Sequence, residues 1–139
     1  MRQSVSLQLF NYLYSKFTDL GVPVIRTSEL NQELPYPFIA IQDIRDDINR
    51  LTFDSYGGSP TATIHIWCKD DDKGKNDEFY MQVQSILLDE IQLDGYTLTT
   101  PHMNVNESTE QDTNQVLSHT TINVELSLIH ISEPTRLRR

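Results

Sequence analysis

The stretch "ATIHIWCKDDDKGKNDEF" (residues 62–79) contains a strand pattern, a charged turn and the start of a helix. From Thr61 to Cys68, apolar and polar residues alternate, which is the two-residue period of a strand with one buried face. We expect the even-numbered side chains to face the core. The odd-numbered ones, including His65 and Trp67, are expected on the opposite face. This stretch therefore predicts a strand followed by a turn and a helix.

The helix after the charged turn is predicted to begin at Asn76. An asparagine side chain can accept a hydrogen bond from a free N–H group of the first turn, and Asp77 and Glu78 would then lie at the positive end of the helix dipole. The buried stripe is expected to consist of the apolar residues at helical spacing, namely Phe79, Val83, Ile86, Leu87 and Ile91.

Another amphipathic helix is predicted at residues 4–20, where apolar residues recur at helical spacing before Gly21. A short strand pattern follows at 22–27, then a loop at 28–37. The next strand pattern, 38–44, is apolar at both alternations in its first half, so we expect both of its faces to be covered.

The polar segment 45–60 contains Gly57, Gly58 and Pro60, and we predict that it is the long, mobile loop of a hairpin. Its length makes it a candidate for function, since long loops are often functional or disordered.

Strands are also predicted at 96–100 and 102–108, separated by Pro101, with a turn at 110–115. The strongest strand pattern is 116–128, with the even-numbered residues from Ile122 onward facing the core. Four side chains of that strand are expected to face away from the core: His119, Thr121, Asn123 and Glu125.

The order of elements is helix, strands, helix, strands, and the long strands have hairpin connections in place of helical crossovers. This order predicts an α+β fold with a mostly antiparallel sheet, two helices packed on one face and a long hairpin loop. Residues 1–129 are expected to form one domain. Residues 130–139 end in "EPTRLRR", differ in composition from the rest, and are interpreted as a non-native or disordered basic tail.

The chain is acidic, with a formal net charge of −9. Residues 1–132 carry 8 basic and 19 acidic side chains, which gives a charge of −11 for that part. An acidic surface disfavours non-specific nucleic-acid binding, because lysine and arginine supply the phosphate contacts. With a single cysteine, Cys68, the chain cannot form an internal disulfide. We also expect no signal peptide and no membrane-spanning helix.

A metal site is not expected. The aspartates at 70–72 do not fit a calcium loop, because the glycine and glutamate positions of that motif are not matched. Cys68 and His65 lie on opposite faces of one strand. His65 and His119 could become cross-strand neighbours, but a zinc site of this kind would still need a third ligand.

No cofactor site or catalytic residue is expected either. No serine lies in a Gly-x-Ser-x-Gly context, and the five glycines form no phosphate-binding loop. A metal-dependent hydrolase using Asp70, Asp71, Asp72 and His65 is retained as the enzyme alternative.

Trp67 is the residue whose surroundings matter most for function. Either the second helix or a loop covers it, or its face meets another subunit, since aromatic residues are enriched in interfaces. Phe53 and Tyr56 are further aromatics without a strand or helix pattern around them. Exposed aromatics of this kind favour a protein that assembles.

Residues 5–128 resemble the small tail-completion, or tail-to-head joining, proteins of long-tailed bacteriophages (siphophages). The similarity lies in the order and spacing of "LPYPFIAIQDI" (34–44), "HIW" (65–67), "LDGYTL" (93–98) and "TTINVELSL" (120–128). The tail "EPTRLRR" has no counterpart in the pattern.

The resemblance implies a structural virion protein that forms a hexameric ring at the head–tail interface, without catalysis or a cofactor. Its partners would be other copies of itself, the head connector or stopper protein, and the tail tube protein, with DNA passing through unbound. Assembly would take place in the bacterial cytoplasm. Another phage neck or tail-terminator protein is the alternative within the virion, and a monomeric host regulatory module is a further alternative.

By this resemblance, contacts with neighbours are expected at the 45–60 loop, at the turn after residue 109 and on the strand face around Trp67. The candidate contact residues are Asp46, Asp47, Arg50, Phe53, Tyr56, His65, Trp67, Glu110 and Asp112.

Overall fold

A computed structural model describes residues 3–29, 35–50, 55–112 and 115–131. In the order of the chain, the elements are α1 (Val5–Thr18), β1 (Val24–Arg26), a 3₁₀ turn (Thr27–Glu29), β2 (Phe38–Ile41), β3 (Ile48–Arg50), β4 (Ser55–Gly58), β5 (Thr61–Lys69), α2 (Lys73–Leu88), β6 (Ile91–Leu93), β7 (Tyr96–Asp112) and β8 (Gln115–Ile131).

The sheet is built around β8, which pairs along one edge with β7 and along the other with β5 and then β4. Beyond β5 lie β2 and β1, and β3 pairs with β4. Among the described strands, β1 and β2 are the one parallel pair. The prediction of an α+β fold with a mostly antiparallel sheet is confirmed.

Helix α1 forms as predicted. Ser4 caps its start by accepting a hydrogen bond from the Leu7 backbone N–H at 3.2 Å. Gly21, with a φ of +87°, follows the end of the helix, in a conformation that glycine adopts without a steric penalty. The buried stripe consists of Val5, Leu9, Leu13 and Phe17.

Helix α2 begins earlier than predicted. Its N-cap is Asp72, which accepts a hydrogen bond from the Lys75 N–H at 3.0 Å, so the choice of Asn76 was wrong. Asn76 lies inside the first turn and donates from Nδ2 to the Lys69 carbonyl at 2.8 Å. Aspartate caps as well as asparagine does, and the earlier cap lets Asn76 join the helix to the end of β5.

The segment 45–60 was predicted to be a loop, and this was wrong for residues 48–50 and 55–58, which are β3 and β4. Gly58, which was interpreted together with Gly57 as a strand breaker, allows a close strand contact instead. A Cβ added to Gly58 would lie 2.7 Å from the Asp47 carbonyl oxygen, so a larger residue could not take its place unchanged.

Strand β7 is longer than predicted, because it continues past Pro101. The proline lies where the register with β8 shifts, between Thr99 and His102, a position where a strand tolerates the missing N–H. Residues 110–112 of the predicted turn are also part of β7.

Two strands end at residues other than those predicted. β2 ends at Ile41, before the predicted end at residue 44. β8 continues to Ile131, two residues past the expected domain end, and residues 132–139 lie outside the described part.

Both helices pack on one face of the sheet, as predicted, and the core lies between them and the sheet. The fully buried members with the largest side chains are Phe17, Leu9, Leu13, Ile39, Ile41, Ile64, Ile66, Leu87, Ile91, Leu98 and Ile122. Cys68 also faces this core. Burial, with a smaller effect of the Glu107 charge, raises the pKa of its thiol to about 11.

The opposite surface of the sheet is called the outer face below. It carries Phe38, His65, Trp67, His119 and Thr121.

Candidate functional site

A contact between two histidines lies at the centre of the outer face. His65 is paired with Thr121 in the β5–β8 register, and Trp67 is paired with His119. This register places His65 Nδ1 2.9 Å from His119 Nε2, a hydrogen-bond distance. The prediction that the two histidines become cross-strand neighbours is therefore confirmed.

Each histidine also has a polar partner on its other nitrogen. Gln42, just after β2, has its Oε1 3.0 Å from His65 Nε2. Glu110, on β7, has its Oε2 2.6 Å from His119 Nδ1. The Thr121 hydroxyl lies 3.3 Å from His119 Nε2. Residues from four strands or strand ends thus form one polar chain across the outer face.

Aromatic rings support this chain from one side. The Trp67 ring stacks on the His119 ring with centroids 3.9 Å apart and planes inclined by 11°. Phe38 follows, with its centroid 6.4 Å from that of Trp67, and it forms a small buried cluster with Ile25 and Ala40. Trp67 Nε1 is buried, without a hydrogen-bond partner among the described residues.

The outer face lies opposite to both helices. α1 and α2 contribute their buried side chains to the core on the other side of the sheet, so α2 does not cover Trp67. Covering of Trp67 by the second helix is therefore wrong, while covering by a loop and contact with another subunit stay predictions. In the described part of the chain, this face keeps an exposed polar border at Asn104, Asn106, Ser108, Asn123 and Glu125.

The charge state of His65 is affected by its surroundings. Burial, followed by the nearby His119, lowers the pKa of His65 below its ordinary value. His65 therefore favours its neutral form in the folded protein. His119 is the less exposed partner in its contact with Glu110, with side chains 17% and 46% exposed.

The remaining predicted contact residues lie at two places along β8. Glu110 is paired with Leu117 and Asp112 with Gln115, near one end. The β3–β4 pair, which includes Arg50 and Tyr56, lies beside residues 128–131 at the other end.

Asp46 and Asp47 lie just before β3, close to the bridge between Arg45 and Thr61. Burial raises the pKa of the Asp46 carboxyl. A hydrogen bond with the Asp47 backbone lowers this pKa, and the negative charge of Asp47 raises it. Phe53 lies outside the described residues. Of the nine candidates, the structure brings His65, Trp67 and Glu110 together.

Two of the three aspartates of the charged turn have structural partners. Asp72 caps α2, and Asp70 forms an ion pair with Lys73 at 3.0 Å. Asp70 lines a cavity of about 360 Å³ beneath α2 together with Cys68, on the side of the sheet opposite to His65. No group of three or more metal-ligating side chains occurs in the described ranges. The geometry therefore gives no support to a hydrolase that combines these aspartates with His65.

Two residues at this site were not anticipated. Gln42 falls in a segment that was assigned to a strand end without a role, and Phe38 was treated only as a buried strand residue. The signal that could have found them is the β2–β5 register, which pairs Phe38 with Trp67 and Ala40 with His65. That register depends on the length of the connection between the strands, which the sequence pattern did not fix.

No protein-family model matches the chain, and no curated protein matches it. None of the described helices is both long and apolar enough to span a membrane.

Proposed function

We propose that this chain is a structural protein of a long-tailed bacteriophage that assembles into a ring at the head–tail interface. In this role it completes the tail and joins it to the head connector, with no catalytic step and no cofactor. The proposal is based on the order of sequence features across residues 5–128, and one structural observation carries it furthest: the outer face presents Trp67 away from both helices.

The outer face has the composition of an interface. Phe38, Trp67 and His119 form an aromatic stack, and exposed asparagine and serine side chains surround it. Interface centres are enriched in aromatic residues and surrounded by polar ones. This arrangement supports contact with a partner of similar polarity, and another copy of the chain is the partner that ring assembly requires.

The edge of β7 supports the same proposal. From His102 to Asp112, β7 pairs with β8 on one side and with no described strand on the other. A row of free N–H and C=O groups is a template for pairing with a strand of another chain. Residues 102–112 contain neither proline nor lysine, and the charged side chains along this edge are the acidic Glu107, Glu110 and Asp112.

The acidic charge is consistent with a ring through which DNA passes. Residues 1–132 have a charge of −11, so the surface lacks the excess of lysine and arginine that holds phosphates. A structure of the ring with a basic lumen would contradict this part of the proposal.

Charge substitutions on β7 test the proposal. Asn106→Lys with Ser108→Lys adds two charges at exposed positions of the outer face and blocks the free edge. Gln82→Lys with Ser85→Lys adds the same charge at exposed positions of α2. We expect the β7 pair to reduce the mass of the assembly in light scattering or native mass spectrometry, and the α2 pair to leave it unchanged. Equal masses for all three proteins, with folding intact by circular dichroism, would contradict a role for this surface.

A further inference from the structure

A cavity of about 360 Å³ lies between α2 and the sheet, on the side opposite to the outer face. Its floor is formed by β5 and β8, one wall by the first two turns of α2, and the other wall by Val105 and Glu107 of β7. Cavities of a few hundred cubic ångströms are typical of small-ligand sites. This one is called the α2–β7 cavity below, and it has room for a small molecule or one side chain of a partner.

The α2–β7 cavity is acidic. Three carboxylates line it, those of Asp70, Asp77 and Glu107. Lys73 is the one basic residue of the lining, so three negative charges and one positive charge give a formal charge of −2. The Lys73 ammonium group is paired with Asp70 at 3.0 Å. Neither Asp77 nor Glu107 forms an ion pair with a described residue, so two carboxylates remain for a positively charged ligand.

Glu107 is held at the cavity by a residue of the floor. The buried Ser118 hydroxyl donates to Glu107 Oε2 at 3.2 Å. The Glu107 charge also acts on groups of two other walls. Together with burial, the larger cause, it raises the pKa of the Cys68 thiol, and together with the contact to Asp70, again the larger cause, it raises the pKa of Lys73. A cation in the cavity would therefore be attracted by this carboxylate.

The floor also contains a buried hydroxyl without a partner. Thr120 is 8% exposed and lines the cavity, and its hydroxyl makes no hydrogen bond to the described residues. The β5–β8 register pairs Thr120 with Ile66, whose side chain faces α2 and the core. Buried polar groups normally have a partner, because leaving a hydrogen bond unmade costs free energy. A ligand that donates hydrogen bonds would complete this part of the site.

We propose that the α2–β7 cavity is a binding site for a guanidinium or ammonium group carried on an apolar stem, as in the side chains of arginine and lysine. Such a group only donates hydrogen bonds, and the free groups of the cavity are two carboxylates and a hydroxyl, which accept them. The cation would contact Glu107 and Thr120, and its stem would pack on Ile66 and Val105. The inference concerns this cavity alone and does not depend on the proposed function.

The cationic group could come from a free small molecule or from a basic side chain of an extended protein segment. The free edge of β7 favours the second source. A segment that adds to this edge would direct every second side chain to the α2 side of the sheet, beside Val105 and Glu107. Recognition by added strands commonly combines main-chain pairing with a pocket for one of these side chains.

Nuclear magnetic resonance of the ¹⁵N-labelled full chain, titrated with n-butylguanidinium at constant ionic strength, tests the site directly. We expect saturable shifts of the backbone signals of Val105, Glu107 and Thr120, and no shift of Asn123 on the outer face. Butyramide, which has a similar stem and no charge, is the control probe and should leave these signals unchanged. Equal shifts with both probes, or no saturable shift with the cation, would overturn the proposal.

Three substitutions make the test sharper. Glu107→Gln removes the charge and keeps an acceptor for Ser118, and it should weaken binding of n-butylguanidinium about tenfold or more, the effect of one charge-assisted hydrogen bond. Glu125→Gln removes the same charge at an exposed position of the outer face and should leave the affinity unchanged. Equal affinities in these two variants would count decisively against the site.

Thr120→Val separates binding from folding. It replaces the unpaired hydroxyl by a methyl group, so no hydrogen bond between described residues is lost and stability in urea should not fall. Binding of n-butylguanidinium should nevertheless weaken severalfold, because the ligand loses an acceptor. An unchanged affinity would show that Thr120 does not contact the cation and would contradict the proposed geometry.

A pair of peptides distinguishes the two sources of the cation. One is a blocked pentapeptide with a central arginine between β-branched residues, and the other has citrulline, the uncharged analogue, in place of the arginine. Tighter binding of the arginine peptide than of n-butylguanidinium would support an extended segment as the source, and equal binding would support a free cation. Binding of the citrulline peptide as tightly as the arginine peptide would overturn the proposal.

Discussion

The aspartates of the charged turn provide the most precise test of the structural account, because three adjacent carboxylates are predicted to behave differently. Asp72 caps α2 through its bond to the Lys75 N–H at 3.0 Å. Asp71 is exposed and makes no hydrogen bond to the described residues. Asp72→Ala should therefore destabilise the protein, and Asp71→Ala is the matched control.

The expected loss for Asp72→Ala is about 1 kcal/mol of unfolding free energy, within a range of roughly 0.5–2 kcal/mol for a lost N-cap. For a domain of this size, a loss of about 1 kcal/mol corresponds to a fall of about 3–4 °C in Tm. Asp71→Ala should change the unfolding free energy by less than about 0.5 kcal/mol. Asp72→Asn should retain most of the stability, because asparagine caps a helix as well as aspartate does.

Urea unfolding followed by the fluorescence of Trp67, the single tryptophan, measures these differences. The reasoning would be refuted if Asp71→Ala were as destabilising as Asp72→Ala. It would also be refuted if Asp72→Asn were as destabilising as Asp72→Ala, because the carboxylate charge, and not the cap, would then be required. The hydrolase alternative makes a separate prediction, namely an activity that is lost in Asp72→Asn.

Further predictions concern the core and the single thiol. Leu9→Ala, at a fully buried position of α1, should cost roughly 2–5 kcal/mol in urea unfolding, whereas Leu7→Ala, at a position that is 42% exposed, should cost less than about 0.5 kcal/mol. Similar losses at both positions would contradict the assigned orientation of α1. Because the pKa of Cys68 is raised to about 11, its thiolate fraction at pH 8 is about one thousandth, so alkylation of the folded protein should be far slower than that of a cysteine peptide. Equal rates would contradict the burial of Cys68.

The sequence was sufficient to predict the features that depend on hydrophobic period. The alternation from Thr61 to Cys68 places His65 and Cys68 on opposite faces, and the helical spacing in α1 gives the buried stripe from Val5 to Phe17. These patterns are informative because a one-residue shift would move every side chain of a strand to the other face.

Features that depend on long-range contacts were not predictable in the same way. The glycines before β5 indicated a loop, but β4 forms there because it pairs with β8, about 70 residues later. The contact between His65 and Gln42 likewise depends on the connection between β2 and β5. Local propensity carries no information about such partners, since it describes only neighbours in the sequence.

The central claim is that copies of this chain associate into a ring that joins the phage tail to the head connector. The most direct measurement is the native mass of the full chain, alone and mixed with purified tail tubes, followed by electron microscopy of the mixture. The account predicts a ring with the mass of six copies, located at the end of the tube. A monomer under all conditions, including in the presence of tail tubes, would contradict it.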